Sequence, residues 1–384
     1  MSEHTSFYEK IGITPLINAS ETYTNLGGSL MDERTVEAMR QAGEHFVDYP
    51  LLLQKVSERA AELTNNESAF VTTGAAGGVI LSAAAAMCGP DEKKLDQLPH
   101  VESFEKNEIL MFDGKFREII PYWRLTGLTG AKIVSVEPTV EAMVNAVNEK
   151  TAAVFLFPAT LYEEGIPTCE EVIPELKKTG VTIVVDAAAQ LPPSSNLWYY
   201  TKELGADLCV FSGGKHIRGP QSTGLIVGRK DLTEACRMAA SPNARIGRAF
   251  KTGKEELAGF ITALELFVTE KPEDGFAHQE ALLKKLEDKL VSREPELKME
   301  FRNEGRLGTY QPLLLVTLPE GKTAEACNKY TRALPQPIDI GVYPPEFRMP
   351  ENVIFLNAYN LKPGEEDLVA EGVLGYLGKY NYVN

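Results

Sequence analysis

The sequence predicts an α/β protein in which a mainly parallel β-sheet is covered by helices on both faces, together with a smaller α+β domain. In the middle of the chain, short apolar runs alternate with segments of helical periodicity, as in a parallel sheet with helical crossovers. Runs such as 152–157 are apolar throughout, which is typical of strands buried on both faces. Beyond about residue 255 the pattern changes to long amphipathic helices with separate strands.

The predicted elements follow one another in the order that this fold requires. Gly180 and Gly205 end two of the helices. In the large domain, strands are predicted at 68–72, 108–112, 132–136, 152–157, 181–186, 208–211 and 224–228, and helices at 75–87, 140–147, 169–178 and 198–204. In the small domain, helices are predicted at 255–269, 276–291 and 364–377, and strands at 298–302, 311–317 and 353–357. The predicted boundaries are 47–255 for the large domain and 1–46 plus 256–384 for the small one, with a linking helix at 32–46.

Composition and charge exclude several classes of protein. The chain of 384 residues is 43% hydrophobic and 24% charged, with a mean hydropathy of −0.17, as in globular rather than disordered or collagenous proteins. Its net charge is 39 − 54 = −15, which disfavours nucleic acid as a partner. A few cations in one pocket would still admit a small anionic ligand.

The chain is expected to be cytoplasmic. Its longest apolar stretch, 79–88, is shorter than the roughly 20 residues that span a bilayer. The N-terminal residues 1–5 lack the basic and apolar regions of a signal peptide. The five cysteines are odd in number and far apart, so they are expected to be buried thiols. The histidines form no closely spaced pair, and no metal site is expected.

Two residues with reactive side chains follow apolar strands. Asp186 ends the strand at 181–186, and ligands of open α/β sheets bind at the carboxyl ends of strands, although many such acids only cap a loop. Lys215 lies between two apolar strands, flanked by glycines that allow a backbone to approach a ligand closely. Desolvation makes an amine more nucleophilic, which favours a reactive lysine; a solvated loop lysine is the alternative.

The segment 71–78 is a candidate phosphate-binding site. It is predicted to be a strand end, a turn of small residues and the start of a helix. Backbone N–H groups, the hydroxyls of Thr72 and Thr73, and the positive end of the helix would surround an anion. Glycines that only allow a helix to pack tightly on the sheet are the alternative.

Together these three features predict a site for pyridoxal 5′-phosphate. That cofactor requires a lysine that forms a Schiff base, an acid that keeps the pyridine nitrogen protonated, and an anion cradle. The order along the chain fits, with Lys215 following Asp186 by 215 − 186 = 29 residues. Rival motifs are absent: no GxGxxG follows a strand, 247–255 has the wrong spacing for a P-loop, and no GxSxG occurs.

The chain resembles the fold-type-I pyridoxal phosphate enzymes of the selenocysteine synthase-like group. The matching segments are Ile17-Asn-Ala-Ser, Gly27-Gly-Ser-Leu-Met, Thr72-Thr-Gly, Val185-Asp-Ala, Ser212-Gly-Gly-Lys, Gly219-Pro-Gln, Ile246-Gly-Arg, Lys251-Thr-Gly-Lys-Glu-Glu and, more weakly, Leu361-Lys-Pro-Gly-Glu-Glu. True selenocysteine synthases have an additional N-terminal tRNA-binding domain and an acid before the lysine, where this chain has Gly214. With the acidic charge, tRNA binding is not expected.

The Gly-Gly-Lys form resembles the D-glucosaminate-6-phosphate ammonia-lyase branch. That resemblance implies α,β-elimination from a phosphorylated amino sugar acid, giving 2-keto-3-deoxy-6-phosphogluconate and ammonia. Lys215 would bind the cofactor and remove the Cα proton, while Asp186 would hold the ring cationic. Thr72, Thr73, Gly74 and Ser212 would bind the cofactor phosphate. The resemblance also implies a homodimer or higher homo-oligomer with active sites shared between subunits.

Several other residues are candidates for contacts with the cofactor or the substrate. Arg248, Lys251 and Lys254 would meet a cofactor or substrate phosphate, or form a solvated cluster. His216 would protonate the leaving hydroxyl, or point elsewhere. Tyr122 and Trp123 are candidates for stacking on the ring, and Gln190 for the 3-hydroxyl of the cofactor. Arg348 is a candidate for the substrate carboxylate, or an exposed surface residue.

Other functions on the same scaffold remain open at this point. They are an aldolase, a β-lyase of sulfur amino acids, and a selenium transferase acting on seryl-tRNA. A pyridoxal-binding regulator without catalysis is the least favoured, because nothing in the chain indicates a DNA-binding or other effector segment.

Overall fold

The computed structural model describes residues 7–114, 121–158, 165–304, 310–344 and 349–379. These residues form two compact units. The larger unit contains the described residues from Gly27 to Pro272, and the smaller one contains those up to Leu26 and from Glu273 onwards. Each unit is built around its own β-sheet.

Strands and helices are numbered along the chain. The strands are β1 (Ile17–Ala19), β2 (Ser68–Thr73), β3 (Glu108–Phe112), β4 (Lys132–Val136), β5 (Thr151–Leu156), β6 (Thr182–Asp186), β7 (Leu208–Ser212), β8 (Thr223–Gly228), β9 (Lys298–Glu304), β10 (Tyr310–Thr317), β11 (Ile338–Val342) and β12 (Val353–Leu356). The helices are α1 (Phe7–Lys10), α2 (Glu33–Gly43), α3 (Tyr49–Leu63), α4 (Gly74–Cys88), α5 (Glu92–Gln97), α6 (Val140–Ala146), α7 (Cys169–Lys177), α8 (Asn196–Trp198), α9 (Lys230–Ala239), α10 (Lys254–Glu270), α11 (Phe276–Arg293), α12 (Ala324–Arg332) and α13 (Glu365–Tyr376). Short 3₁₀ turns lie at Thr24–Leu26, Pro121–Thr129 and Pro272–Gly275, and a π-helical turn at Tyr199–Glu203.

The sheet of the larger unit confirms the predicted α/β fold class. Its seven strands lie in the order β2-β8-β7-β6-β5-β3-β4. The pairs from β7 to β4 are all parallel, and β8 runs antiparallel to both of its neighbours. The central strands are buried along their length, which explains why they are continuously apolar in the sequence.

Helix α4 packs closely against this sheet because its inner residues are small. It contacts β7 and β8. A Cβ atom on Gly78 would lie 2.7 Å from Val210 Cγ1, so a larger residue there would push the helix away from the sheet. Gly78 therefore allows the helix to pack tightly on the sheet. The candidate anion-binding groups are those in the first turn of the helix.

The division into units differs from the predicted domain boundaries. The linking helix α2 and helix α10, both predicted to belong to the small domain, pack against each other within the larger unit. A Cβ atom on Gly259 would lie 2.7 Å from Met39 Cγ, and Arg34 Nη1 lies 2.7 Å from Glu270 Oε1. Because this close helix pair is part of the larger unit, the division falls after Leu26 and after Pro272 rather than after residues 46 and 255.

The smaller unit contains a five-stranded sheet in the order β1-β11-β12-β10-β9. Strands β1 and β11 pair in parallel, and the other neighbours pair antiparallel. Helices α11, α12 and α13 cover the apolar core of this unit. The sequence patterns predict β9, β10 and β12 but not β1 or β11.

Two simpler expectations can also be compared with the structure. The five cysteines are all buried thiols, as predicted. Within the described ranges, no helix combines the length and the apolar character needed to cross a membrane.

Candidate active site

The carboxyl ends of β6 and β7 bring the two predicted reactive residues together. These strands are parallel neighbours, with Asp186 opposite Val210, so Asp186 and Ser212 end at the same edge of the sheet. The turn that follows β7 carries Lys215. This is the edge at which ligands of open α/β sheets bind.

Asp186 ends β6 in an environment that makes its carboxyl group a weaker acid than usual. Burial raises the pKa of its carboxyl group to about 6. The Ala188 N–H donates to Asp186 Oδ1 at 3.1 Å, and the charge of Lys215 also acts on the carboxylate; both lower the pKa, but by less. Besides Lys215, the ionised carboxylate of Asp186 would therefore stabilise a further positive charge placed next to it, such as that of a bound ligand.

The turn that carries Lys215 is fixed by the segment 27–30. Ser29 Oγ donates to Lys215 O at 2.6 Å, and Ser29 N donates to Gly214 O at 3.1 Å. A Cβ atom on Gly28 would lie 2.4 Å from Gly214 O, and the φ of Gly28 is +79°, so glycine is required there on both grounds. Sequence reasoning included this segment in the family resemblance but missed the positioning role of Ser29.

The glycines beside Lys215 allow the returning chain to pass close to the turn. A Cβ atom on Gly213 would lie 2.2 Å from Thr223 Oγ1, and one on Gly214 would lie 2.4 Å from Gln221 Cα. Their predicted role in the approach to a ligand stays a prediction.

The candidate phosphate cradle lies where β2 passes into α4. The first N–H groups of a helix have no partner inside the helix, and here they belong to small residues of which Ala76 is exposed. Thr72 Oγ1 is buried and has no hydrogen-bond partner among the described residues. It lies near the first turn of α4, 3.2 Å from the position that a Cβ atom on Gly77 would take.

Two predicted phosphate donors are already engaged. Thr73 Oγ1 donates to Phe250 O at 2.6 Å, and Gly74 N donates to Ser222 O at 2.7 Å. Gly74 has a φ of +62°, so it supplies the turn into the helix. Thr73 and Gly74 therefore shape the cradle, while the hydroxyl of Thr72, which has no partner among the described residues, remains a donor for an anion.

Three other predicted residues lie on the expected segments. Ser212 is the last residue of β7 and pairs with Gly224. Gln190 is buried in the loop after Asp186, where its backbone carbonyl accepts a hydrogen bond from Asn196 Nδ2 at 2.6 Å. His216 is buried directly after Lys215.

The cationic segment 246–254 lies against the cradle, although its cations differ in their environments. Phe250 O is the acceptor for Thr73 Oγ1, and the side chains of Arg248 and Lys251 are exposed. Lys254 Nζ instead donates to Ala42 O and to Glu255 Oε1, so the prediction that it meets a phosphate is replaced by a role in holding the end of α2.

The remaining candidates cannot be compared with the structure. The Tyr122 and Trp123 side chains, and the whole of Arg348, lie outside the described residues.

A Thr72→Val variant should bind the cofactor more weakly without losing stability. Valine has the shape of threonine but no donor, and the hydroxyl that it replaces has no partner among the described residues. A hydrogen bond to a charged group contributes about 1.5–3 kcal/mol, so the Kd for pyridoxal 5′-phosphate should rise about 10- to 100-fold. Titration of the cofactor-free protein measures this Kd, with Thr262→Val as the control, because its hydroxyl donates within helix α10 to Ala258 O. An unchanged Kd would remove Thr72 from the cradle.

The contribution of Asp186 to the stability of the cofactor-free protein should fall as the pH rises from about 4 to about 6. The pKa of Asp186 is about 6 in the folded chain, against an ordinary value of 3.8, so the folded state holds this proton more tightly than the unfolded state. The resulting stabilisation is complete below pH 3.8 and is lost as the pH rises through 6. Denaturant unfolding of wild type and Asp186→Asn measures the difference, which should change across this window. A pH-independent difference would contradict the buried, proton-binding environment of Asp186.

Comparison with known proteins agrees with this fold. The aminotransferase class-V family model matches residues 107–255. A Streptomyces 5'-C-glycyluridine monooxygenase-decarboxylase is 30% identical over 95% of this chain and 91% of its own length. The D-glucosaminate-6-phosphate ammonia lyase of Salmonella typhimurium is 29% identical over 68% of this chain and 69% of its own. An L-seryl-tRNA(Sec) selenium transferase of Moorella thermoacetica is 26% identical, and the match covers 56% of that protein.

Solved structures show the same fold. A structure of D-glucosaminate-6-phosphate ammonia-lyase superposes with a TM-score of 0.81 at 24% identity, covering 96% of this chain and 97% of that one. A NifS-like protein superposes with a TM-score of 0.62 at 18% identity, covering 94% of this chain and 99% of that one.

Fold, site and relatives together define a fold-type-I enzyme whose cofactor is pyridoxal 5′-phosphate. Within that class, the chain belongs to the selenocysteine synthase-like group.

The residues described here fit this cofactor. Its anionic phosphate matches the buried hydroxyl of Thr72 and the N-terminus of α4. Its ring nitrogen requires an acid such as Asp186, and its aldehyde requires an amine such as that of Lys215, whose charge acts on Asp186.

Proposed function

We propose that this chain is an ammonia-lyase that acts by α,β-elimination on a phosphorylated hydroxy amino acid, with D-glucosaminate-6-phosphate as the substrate. The observation that carries the proposal is the position of two exposed cations, Arg248 and Lys251, on a segment held against the phosphate cradle. The Salmonella relative, whose name specifies this substrate and this reaction, supports the same assignment.

In this proposal, Lys215 and Asp186 divide the proton chemistry. When bound, pyridoxal 5′-phosphate supplies a protonated ring that accepts electrons and stabilises negative charge at the substrate Cα. Lys215 Nζ removes the Cα proton, and Asp186 keeps the ring nitrogen protonated. Departure of the C3 hydroxyl as water leaves an enamine, and its hydrolysis gives 2-keto-3-deoxy-6-phosphogluconate and ammonia.

The buried residues around this pair suit supporting roles. Ser212 ends the strand beside Asp186 and would contact the cofactor phosphate together with Thr72. Gln190, on the loop after Asp186, would approach the 3-hydroxyl of the cofactor. His216 follows Lys215 and would donate the proton that the leaving hydroxyl needs; its burial would keep bulk water away from that transfer.

The Streptomyces relative supports a second candidate, oxidative decarboxylation of an amino acid joined to a nucleoside. This relative matches almost the whole chain, and its name specifies a monooxygenase-decarboxylase of glycyluridine. The two reactions break different bonds, because elimination removes the Cα proton whereas decarboxylation removes the carboxylate. They also differ in their need for molecular oxygen.

A direct assay separates the two candidates. The holoenzyme is supplied in turn with D-glucosaminate-6-phosphate, unphosphorylated D-glucosaminate and 5'-C-glycyluridine, while ammonia, keto acid, carbon dioxide and oxygen are measured. We expect equal amounts of ammonia and keto acid from the phosphorylated acid, without oxygen uptake. Oxygen-dependent carbon dioxide release from the glycyl nucleoside, with no ammonia from the sugar acid, would replace the first proposal with the second.

An Arg248→Ala variant should recognise the phosphorylated substrate less well. If Arg248 binds the substrate phosphate, its loss should raise KM for D-glucosaminate-6-phosphate about tenfold, the lower end for a hydrogen bond to a charged group. The same variant should leave KM for unphosphorylated D-glucosaminate unchanged. An equal rise for both substrates would show that Arg248 does not contact that phosphate.

We propose that the enzyme works as a homodimer or a higher homo-oligomer with shared active sites. Large apolar side chains are exposed along the segment next to the Lys215 turn, with Phe46 fully exposed, and such patches mark interfaces. Arg218 Nε donates to Leu30 O at 2.9 Å, which joins the Lys215 turn to this exposed apolar patch. The patch consists of Leu30, Met31, Val36, Phe46, Val47 and Leu51.

Sedimentation analysis tests the assembly. Wild type should sediment as a dimer or larger assembly, and Phe46→Asp should weaken it; a monomeric wild type would contradict the proposal.

The acidic charge disfavours nucleic acid as a partner, and the buried thiols suit a reducing cytoplasm.

A further inference from the structure

The carboxylate of Glu256 lies in the first turn of α10 and accepts two hydrogen bonds. Gly253 N donates to Glu256 Oε2 at 2.6 Å, so the Glu256 side chain caps one backbone N–H group at the start of the helix. Ser222 Oγ donates to the other oxygen, Oε1. One side chain therefore joins the end of the 246–253 segment to the end of the turn that follows Lys215.

Through Ser222, this carboxylate is linked to the start of α4. Ser222 O accepts from Gly74 N at 2.7 Å. Strand β8, which begins directly after Ser222, also passes close to the start of α4, since a Cβ atom on Gly224 would lie 2.4 Å from Gly74 C. A shift of Ser222 would therefore move the residue that begins the helix.

Through Gly253, the same carboxylate is linked to the other side of the cradle. The segment that ends at Gly253 contains Phe250, whose carbonyl accepts from Thr73 Oγ1 at 2.6 Å. The Thr252 hydroxyl lies 3.3 Å from the same Thr73 oxygen. The backbone on both sides of the first turn of α4 is thus held by segments that meet at Glu256.

We propose that Glu256 is a positioning residue for the cofactor phosphate. It does not bind the phosphate, since it is itself an anion. It holds Ser222 and Gly253, and the segments that contain them contact Gly74 and Thr73 at the start of α4. This inference rests on the proposed cofactor site. Glu255 offers a matched control, because it has the same charge on the same helical turn but pairs with Lys254 Nζ at 2.5 Å.

The test compares pyridoxal 5′-phosphate with pyridoxal, which has the same ring and aldehyde but no phosphate. Full-length Glu256→Ala, Glu256→Gln and Glu255→Ala proteins are freed of cofactor and titrated with each compound. Glu256→Ala should bind pyridoxal 5′-phosphate about 10- to 100-fold more weakly, the range seen when partners that orient a ligand-binding group are removed. Its affinity for pyridoxal should equal that of wild type.

The two other variants make the result specific. Glu256→Gln keeps one acceptor oxygen and should fall between Glu256→Ala and wild type, and it replaces Glu256→Ala if that variant does not fold. Glu255→Ala should bind both compounds like wild type. Unchanged affinity for pyridoxal 5′-phosphate, or equal losses for both compounds, would overturn the positioning role. If wild type itself bound the two compounds equally, the proposed cradle would fail along with this inference.

Discussion

Replacing Lys215 by Ala is expected to lower kcat by about 10²–10⁴-fold, the range for loss of a positioned general base. The variant also has no amine to bond to the cofactor, so the absorption band of the Schiff base should disappear while noncovalent binding persists through the phosphate. The measurements are steady-state turnover and the absorption spectrum of the same preparation.

The control for this variant is Lys177→Ala. Lys177 is the last residue of α7 in the larger unit, and its Nζ donates to Gly205 O at 3.1 Å, away from the carboxyl ends of β6 and β7. Lys177→Ala should retain turnover and the absorption band. Full activity of Lys215→Ala would exclude its proposed role.

Replacing Asp186 by Asn is expected to reduce kcat much more than it weakens substrate binding. An aspartate beside the ring nitrogen raises the pKa of that nitrogen by about 1–3 units, and the protonated ring stabilises the transition state in proportion. Loss of the carboxylate should therefore lower kcat about 10- to 1,000-fold, since each unit is a factor of ten in rate. KM should change little.

A second aspartate provides the comparison. Asp207 Oδ2 accepts from Ile183 N at 2.8 Å, at the opposite ends of β6 and β7, where it ties strands together. Asp207→Asn should lower the free energy of unfolding and leave kcat unchanged. Equal losses of kcat and substrate binding in Asp186→Asn would indicate that Asp186 is also merely structural.

The sequence predicts those parts of the site whose positions follow from the apolar patterns of the strands. Asp186 and Lys215 follow buried strands that are apolar throughout, so their positions at one sheet edge follow from the general rule for parallel sheets. The antiparallel direction of β8 does not follow from that pattern, because an apolar strand looks the same in either direction. Strand β1 has three residues and pairs with β11 across most of the chain, so neither carries a local signal.

Hydrogen-bond partners far apart in sequence are the other features that could not be predicted. Whether Thr72 or Thr73 offers its hydroxyl to an anion depends on Phe250, and whether Lys254 is available depends on Ala42. The sequence predicts Thr72, Thr73 and Lys254 as candidates. Their contacts in the structure show that Thr73 and Lys254 already donate hydrogen bonds within the protein.

Borohydride reduction of the holoenzyme, followed by tryptic peptide mapping, identifies the lysine that bonds to the cofactor. Reduction makes the bond between the cofactor and its lysine permanent, and a modified lysine resists trypsin. We expect one labelled peptide, running from Glu203 to Arg218 and carrying the label on Lys215. A label on any other lysine, with Lys215 unmodified, would contradict it.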